Sequence, residues 1–250
     1  INGLNYALID RRNNNVASIY AAGAETLIRD IGESKISIIS YIKKNSVLED
    51  NDDNRCLYKF LEFVNGMLFF RSLEQNSYIG YEQGSSGVSS DIIERGNIKD
   101  FEMFLNEAGI ECKLSTIESG DQIELAFDFN GKVINFFDIA SQGTRSLALF
   151  YYWYQRLRDD SKVSFLFIDE FDAFYHHSLS SLIIKMLKRI TAQVVITTHI
   201  TSIMTNELLH PDCYFLLKPN EIKSLVNSTA KGLREAHNIE KMYKAGSFSG

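Results

Sequence analysis

Two uninterrupted apolar runs constrain the fold of this chain more than any other feature. KVSFLFIDE spans 162–170 and AQVVITTH spans 192–199, and between them SSLIIKMLKRI (180–190) carries its apolar residues at helical spacing. Both runs are too uniformly apolar to be half exposed, so strand, helix, strand reads as part of a parallel sheet covered on both faces. Ligands of such sheets sit beyond the carboxyl ends of the strands. The polar ends of the two runs, Asp169–Glu170 and Thr198–His199, therefore address one site.

The 250 residues are 45% hydrophobic and 23% charged, enough for one large domain or two modest ones and unlike collagenous, disulfide-rich or disordered chains. Acidic residues outnumber basic ones, 32 to 26, giving a net charge of -6. No global basic field draws the protein to nucleic acid or an anionic membrane, although a local basic stripe would still admit DNA. Cys56, Cys112 and Cys213 form neither a metal-ligand spacing nor an even disulfide framework, which suits a reducing compartment. No apolar run approaches the roughly 18 to 20 residues of a membrane span, and no signal peptide is visible, so cytoplasm is the expectation. The chain opens on Ile1, with LNYALID already alternating, as expected of a portion of a longer polypeptide.

Residues 4–10 and 16–21 flank the polar tract RRNNN and read as an antiparallel hairpin. Between Ala24 and Lys44 the pattern is mixed, and helix there is a guess that no periodicity decides. SVLEDNDDNR reads as a solvated loop ahead of a helix at Cys56–Asn65, and YEQGSSGVSS as a flexible stretch and the best boundary in the first half. Ile98–Gly109 puts Phe101, Phe104, Leu105 and Ala108 on one helix face. Asn130-Gly131 joins the alternating runs IELAFDF and KVINFF, the dipeptide that best fits a type I′ hairpin turn. SQGTRSLALFYYWYQRLRDD then reads as a buried helix with a loop at its N-terminus.

Three clusters carry chemistry. Asp169 and Glu170 end a buried strand, where two adjacent carboxylates need a cation or hydrogen-bond donors to stay ionised, and magnesium would serve. His199 ends the strand one helix later and would stand near Glu170 if the two strands are neighbours. In ASQGTRS, Ser141 offers a hydroxyl, Gly143 permits close backbone approach, and the free N–H groups opening the following helix favour an anion. Thr144 is followed about 25 residues on by Asp-Glu, and that pair about 30 residues later by Thr-His. The order and spacing of the three clusters carry more weight than any one of them.

The ordered set SQGT, FLFIDE, FDAFYH and ITTH resembles the signature motif, Walker B, D-loop and switch histidine of ABC-type ATPases. The branch it resembles holds SMC and RecF heads and the bacterial OLD and abortive-infection ATPases. Specific agreement covers about residues 135–205, and the tail LREAHNIEKMYKAGSF is similar to the C-terminal end of the abortive-infection type. The resemblance implies an α/β P-loop NTPase head with a parallel core sheet, antiparallel hairpins and a helical insertion. Residues 1–130 would form a partial N-terminal lobe and 131–250 the ATPase core. It implies ATP and Mg²⁺ as cofactors, with Asp169 organising magnesium, Glu170 polarising the attacking water and His199 sensing the γ-phosphate. Ser141, Gly143 and Thr144 would reach nucleotide held by an opposite protomer. Asp172 would lead into a D-loop, Ala173, Phe174, Tyr175 and His176, along the interface of a homodimer or higher homo-oligomer. Antiphage defence and a protein effector or toxin partner are implied in the same way. Adjacent His176 and His177 are read as polar loop residues and not as metal ligands.

One departure stands out. A Walker A loop needs G-x-x-x-x-G-K-[ST] to cradle phosphates, and no such string occurs in the 250 residues. In the family this loop precedes everything shown, so it is expected N-terminal to Ile1. Two other readings remain open at this point. One is a metal-dependent nuclease or effector using Asp169, Glu170 and Asp172; the other is a non-hydrolysing scaffold of the same fold, against which the presence of both Glu170 and His199 argues.

Overall fold

The computed structural model describes residues 9–12, 15–24, 37–52, 54–71, 77–80, 87–159, 162–172, 177–229, 232–233 and 237–248. The chain divides into two compact units, residues 1–65 and 66–250.

In the first unit, strand β1 (Ile9–Arg12) pairs antiparallel with β2 (Asn15–Ile19). The expected hairpin is present, but its turn is tighter than the polar tract suggested: Arg11 pairs with Val16 and Arg12 with Asn15. Ladder hydrogen bonds come from the backbone, so polar residues extend a strand as readily as apolar ones where packing does not decide. The mixed stretch 24–44 yields helix only at its end, α1 (Ile38–Asn45), where Ser37 Oγ caps the first turn by accepting from Ser40 N at 3.2 Å; residues 25–36 lie outside the described ones. Helix α2 (Arg55–Asn65) stands where it was expected. The acidic loop before it is not simply solvated, because Asn54 is fully buried. Its Oδ1 accepts from Ala22 N at 3.2 Å and its Nδ2 donates to Ala22 O at 2.9 Å and Glu49 O at 2.8 Å, beside a small core of Ile19, Ala21, Ala24, Ile42 and Leu57. Burying one amide is tolerable when its hydrogen bonds are all made.

The second unit runs β3 (Met67–Arg71), β4 (Ser77–Gly80), α3 (Val88–Glu94), α4 (Ile98–Glu107), β5 (Leu114–Ser119), β6 (Gln122–Phe129), β7 (Lys132–Asn135) and α5 (Phe136–Ile139). It continues with α6 (Gln142–Asp159), β8 (Phe165–Asp169), α7 (His177–Leu187), β9 (Gln193–Ile196), β10 (Phe215–Lys218), β11 (Glu221–Ser224) and α8 (Ile239–Lys244). Helix α3 takes up residues 88–90 of the Gly/Ser stretch expected to be flexible; 81–86 lie outside the described residues.

The principal sheet has the order β4-β3-β8-β9, with β3, β8 and β9 parallel and β4 antiparallel at the edge. The β8/β9 register pairs Phe165 with Gln193 and Ile168 with Ile196, so both strands end at the same level. Entry into this sheet depends on close backbone approach at Gly66. Its carbonyl accepts from Ser164 N at 2.9 Å, and a Cβ on residue 66 would stand 2.4 Å from the Lys162 carbonyl oxygen. Glycine is the residue that fits.

A second, antiparallel sheet has the order β5-β6-β7. Asn130 (φ 57°) and Gly131 (φ 94°) both adopt positive φ between Phe129 and Lys132, the type I′ geometry their sequence predicts. The expected lobe boundary at 130/131 falls inside this hairpin, whereas the compact units part after Asn65.

Helix α6 is apolar on nearly every side from Leu147 to Tyr154, and such a helix is stable only when covered all round. Phe101 of α4 packs on Tyr151 at a ring separation of 5.0 Å, and Phe127 of β6 on Phe136 at 4.8 Å. One polar cluster locks the helix in place. Fully buried Gln155 accepts from Asn97 Nδ2 at 2.8 Å and donates to Asp91, whose carboxylate also receives Arg95 Nε at 3.0 Å and Arg156 Nη2 at 2.7 Å. The C-terminal half of α6 is thereby fixed against α3. Strands β10 and β11 form a separate ribbon over a satellite core of Met204, Tyr214, Leu225, Ile239 and Phe248. Among the described residues no helix is long and apolar enough to cross a membrane.

Candidate functional site

The chain crosses from β8 to its continuation in one residue. Asp169 is the last residue of the strand, and Glu170 turns into the left-handed region at φ 44°, a conformation uncommon for a residue with a Cβ. The neighbouring strand supplies what holds it there. Thr197 N donates to Ile168 O at 3.0 Å, and Thr197 O accepts from Phe171 N at 3.1 Å. Between these backbone bonds, Thr197 Oγ1 donates to Asp169 Oδ1 at 2.6 Å and accepts from Glu170 N at 2.7 Å.

Two residues further on, the Glu170 carboxylate accepts from His199 Nε2 at 3.2 Å through Oε1. The expected neighbourhood of the two residues is therefore present. It arises because β8 and β9 are adjacent and end in register. The His199 side chain is 89% exposed and that of Glu170 30%, so the pair faces solvent. Asp169, Glu170, Thr197, Thr198 and His199 open into a pocket of about 620 Å³ whose far wall is apolar and includes Phe215 and Tyr243. That volume lies within the usual range for small-molecule sites.

Asp172 does not join this group. It is buried, and its Oδ2 accepts from Thr198 Oγ1, which in turn accepts from Ile200 N at 2.9 Å. A cluster of Asp169, Glu170 and Asp172 does not form, and among the described residues no three His, Cys, Asp or Glu side chains are placed to hold a metal together. The D-loop residues Ala173, Phe174, Tyr175 and His176 lie outside the described residues.

The SQGT loop stands elsewhere. Ser141 is the N-cap of α6: its Oγ accepts from Thr144 N at 3.2 Å and lies 2.8 Å from Thr144 Oγ1, while its carbonyl accepts from Arg145 N at 2.9 Å. Arg145 clamps the approach from below, donating from Nε to Ala140 O at 3.1 Å and from Nη2 to Phe137 O. Capping leaves the amides of Gln142 and Gly143 at the open end of an eighteen-residue helix, where an anion is favoured. Ser141 and buried Thr144 line a separate cavity of about 880 Å³ with Phe129 and Ile139, sharing no residue with the pocket of Asp169 and Glu170. Within one chain the structure thus brings Asp169, Glu170 and His199 together and leaves Ser141, Gly143 and Thr144 out.

Sequence reasoning singled out His199 within ITTH and gave neither threonine before it a role of its own. The signal was present as a polar doublet ending an apolar run, but a hydroxyl at a strand end is common, and only the β8/β9 register shows that both hydroxyls meet carboxylates.

The donor set suits magnesium. The Asp169 carboxylate, with only Oδ1 bonded by Thr197, offers a hard oxygen ligand of the kind Mg²⁺ prefers, with water and phosphate completing the shell. Asp169 would hold it. The string G-x-x-x-x-G-K-[ST], whose backbone amides and lysine cradle phosphates, does not occur in the 250 residues.

Comparison with protein families gives a match over residues 27–205, covering Ser141 through His199, to the family described as "AAA domain, putative AbiEii toxin, Type IV TA system". No curated protein matches the chain. The family and the parallel three-stranded core with its hairpins and helices agree on a P-loop NTPase fold.

Proposed function

The chain belongs to this AAA-domain family of P-loop ATPases, and we propose that it hydrolyses ATP with Mg²⁺ at a composite site built from two heads. The observation that carries the proposal is the 3.2 Å contact between His199 and Glu170, beside an Asp169 whose carboxylate is already held by Thr197.

In this reading Glu170 is the general base. Its contact with His199 engages Oε1 alone and leaves the other oxygen to accept a proton from water. His199, exposed and tethered to the base, reports the γ-phosphate to it. When bound, magnesium would neutralise charge on the nucleotide phosphates. Asp169, whose Oδ1 alone is bonded by Thr197, would hold that ion.

Ser141, Gly143 and Thr144 serve a second protomer. Their loop opens a helix whose amides suit a phosphate, yet it lines a cavity separate from its own Asp169 site. Nucleotide held by one head would draw in the loop of the other, making association depend on ATP. The likeness of the motif set to the SMC, RecF, OLD and abortive-infection branch supports such a dimer switch. The family's description as a toxin of a type IV toxin–antitoxin system is the support for placing that switch in antiphage defence; a protein effector as its target and the cytoplasm as its place complete the proposal. Magnesium-dependent ATP turnover by the full-length protein, measured with dimer formation at matched nucleotide concentrations, tests the proposal; turnover that is linear in protein concentration, with no association, would contradict the composite site.

A further inference from the structure

We infer that Thr197 is the positioning residue of this site: its single hydroxyl fixes the Asp169 carboxylate and the backbone turn from which Glu170 reaches His199. The inference rests on the reading of Asp169 and Glu170 as the hydrolytic pair and adds the residue that sets their geometry.

Four consecutive residues of the β8 exit are each tied to Thr197. Ile168 O and Phe171 N bond its backbone at 3.0 and 3.1 Å, and between them Asp169 Oδ1 and Glu170 N bond its Oγ1 at 2.6 and 2.7 Å. The hydroxyl uses its proton on Asp169 and a lone pair on Glu170, the full directional capacity needed to fix both at once. This matters because Glu170 adopts φ 44°, a conformation that persists only where its surroundings over-determine it. A relaxed Glu170 would return towards the right-handed or extended region and carry its carboxylate away from His199.

Thr198 offers an internal comparison. Its hydroxyl has the same donor-and-acceptor arrangement, donating to Asp172 and accepting from Ile200 N at 2.9 Å. That bond braces the turn carrying His199 and touches neither Asp169 nor Glu170. Valine at 197 keeps the β-branched shape and removes only the hydroxyl, leaving one carboxylate oxygen and one N–H without their partner. Serine restores the hydroxyl without the methyl.

Two measurements on the full-length protein test the inference. In a nucleotide-free double-mutant cycle of Thr197→Val and Asp169→Ala followed by urea unfolding, the two substitutions are expected to be less than additive, because each removes the same bond; strict additivity overturns the contact. In ATP turnover, Thr197→Val is expected to lower kcat on the order of 100-fold, the cost of a misplaced catalytic group, while Thr197→Ser stays within about threefold of wild type. If Thr197→Val is too unstable to assay, the serine variant decides, and a loss there as large as that expected for valine overturns the role. A coupled cycle with unchanged kcat in Thr197→Val also overturns it, yet leaves ATP hydrolysis standing. Wild-type protein that hydrolyses no ATP refutes the proposed function instead, with the cycle still reporting on the contact.

Discussion

His199 Nε2 lies 3.2 Å from Glu170 Oε1, although 29 residues and a whole helix separate them in sequence. The contact follows from one register: β8 and β9 are adjacent, parallel and end level, so the residues just past each end share a pocket. An exposed histidine tethered to a half-buried carboxylate can sense an incoming anion without first having to be ordered.

His199→Ala is therefore expected to slow steady-state ATP turnover about 10- to 100-fold while leaving the fold intact, since the ring is 89% exposed and its loss removes no packing. Turnover and the unfolding midpoint, measured on one preparation, check both halves. An unfolding midpoint lowered along with activity would mean that the histidine is structural.

If Asp169 holds magnesium as proposed, Asp169→Ala is expected to weaken Mg-dependent nucleotide binding and to leave magnesium-free binding nearly unchanged. Calorimetric titration with and without Mg²⁺ measures the difference. Equal affinities in wild type and variant at saturating Mg²⁺ would contradict the role given to Asp169.

Stability should carry a pH signature from Glu102. Leu114 N donates to its Oε2 at 2.6 Å and Lys99 Nζ stands 3.1 Å away, and together they hold its carboxyl below the ordinary value against the opposing effect of burial. A carboxyl depressed in the folded state stabilises above its unfolded pKa, and that contribution is lost as pH falls through the folded one. Glu102→Gln should therefore be less stable than wild type at neutral pH, with the gap closing below about pH 4.5, the ordinary value. Urea unfolding at pH 7 and pH 3.5 reads it, and a gap independent of pH would remove the linkage.

The parts of the fold legible in sequence are those with one dominant signal. The two apolar runs, the helix between them and the Asn130-Gly131 turn are local patterns with a single physical solution. Strand β3 was not legible: MLFF follows directly on a helix, and nothing local shows that Met67 pairs with Phe165 nearly 100 residues later. The buried Asn54 was hidden among acidic neighbours because Ala22, which it bonds through both its side-chain oxygen and nitrogen, comes from 32 residues earlier in the chain. At the site, residue types were legible and roles were not. Asp169, Glu170 and His199 announce themselves as charged or titratable groups at strand ends, whereas Thr197 matters only through distances. Asp172, grouped in sequence with the other carboxylates, turns out to bond Thr198.

The loop that opens α6 offers a test that keeps its local structure. Ser141 caps α6, so a bulky substitution would also remove the cap, whose loss costs about 1 kcal/mol. Ser141→Asp retains a capping oxygen while adding negative charge where a phosphate would approach. ATP-driven association is expected to be lost, with the nucleotide affinity of each protomer unchanged. Sedimentation together with equilibrium binding distinguishes the cases, and a matching loss of protomer affinity would mean that the loop acts on its own head's nucleotide.

The most direct measurement of the central claim is ATP hydrolysis and ATP binding by Glu170→Gln in the full-length protein. The amide keeps the shape and the contact with His199 but cannot accept the proton from water. Turnover should fall about 10²- to 10⁴-fold, with Mg-ATP affinity retained and the ATP-bound dimer accumulating. Turnover within threefold of wild type would contradict the assignment of Glu170 as the base, and with it the reading of this site as the hydrolytic centre.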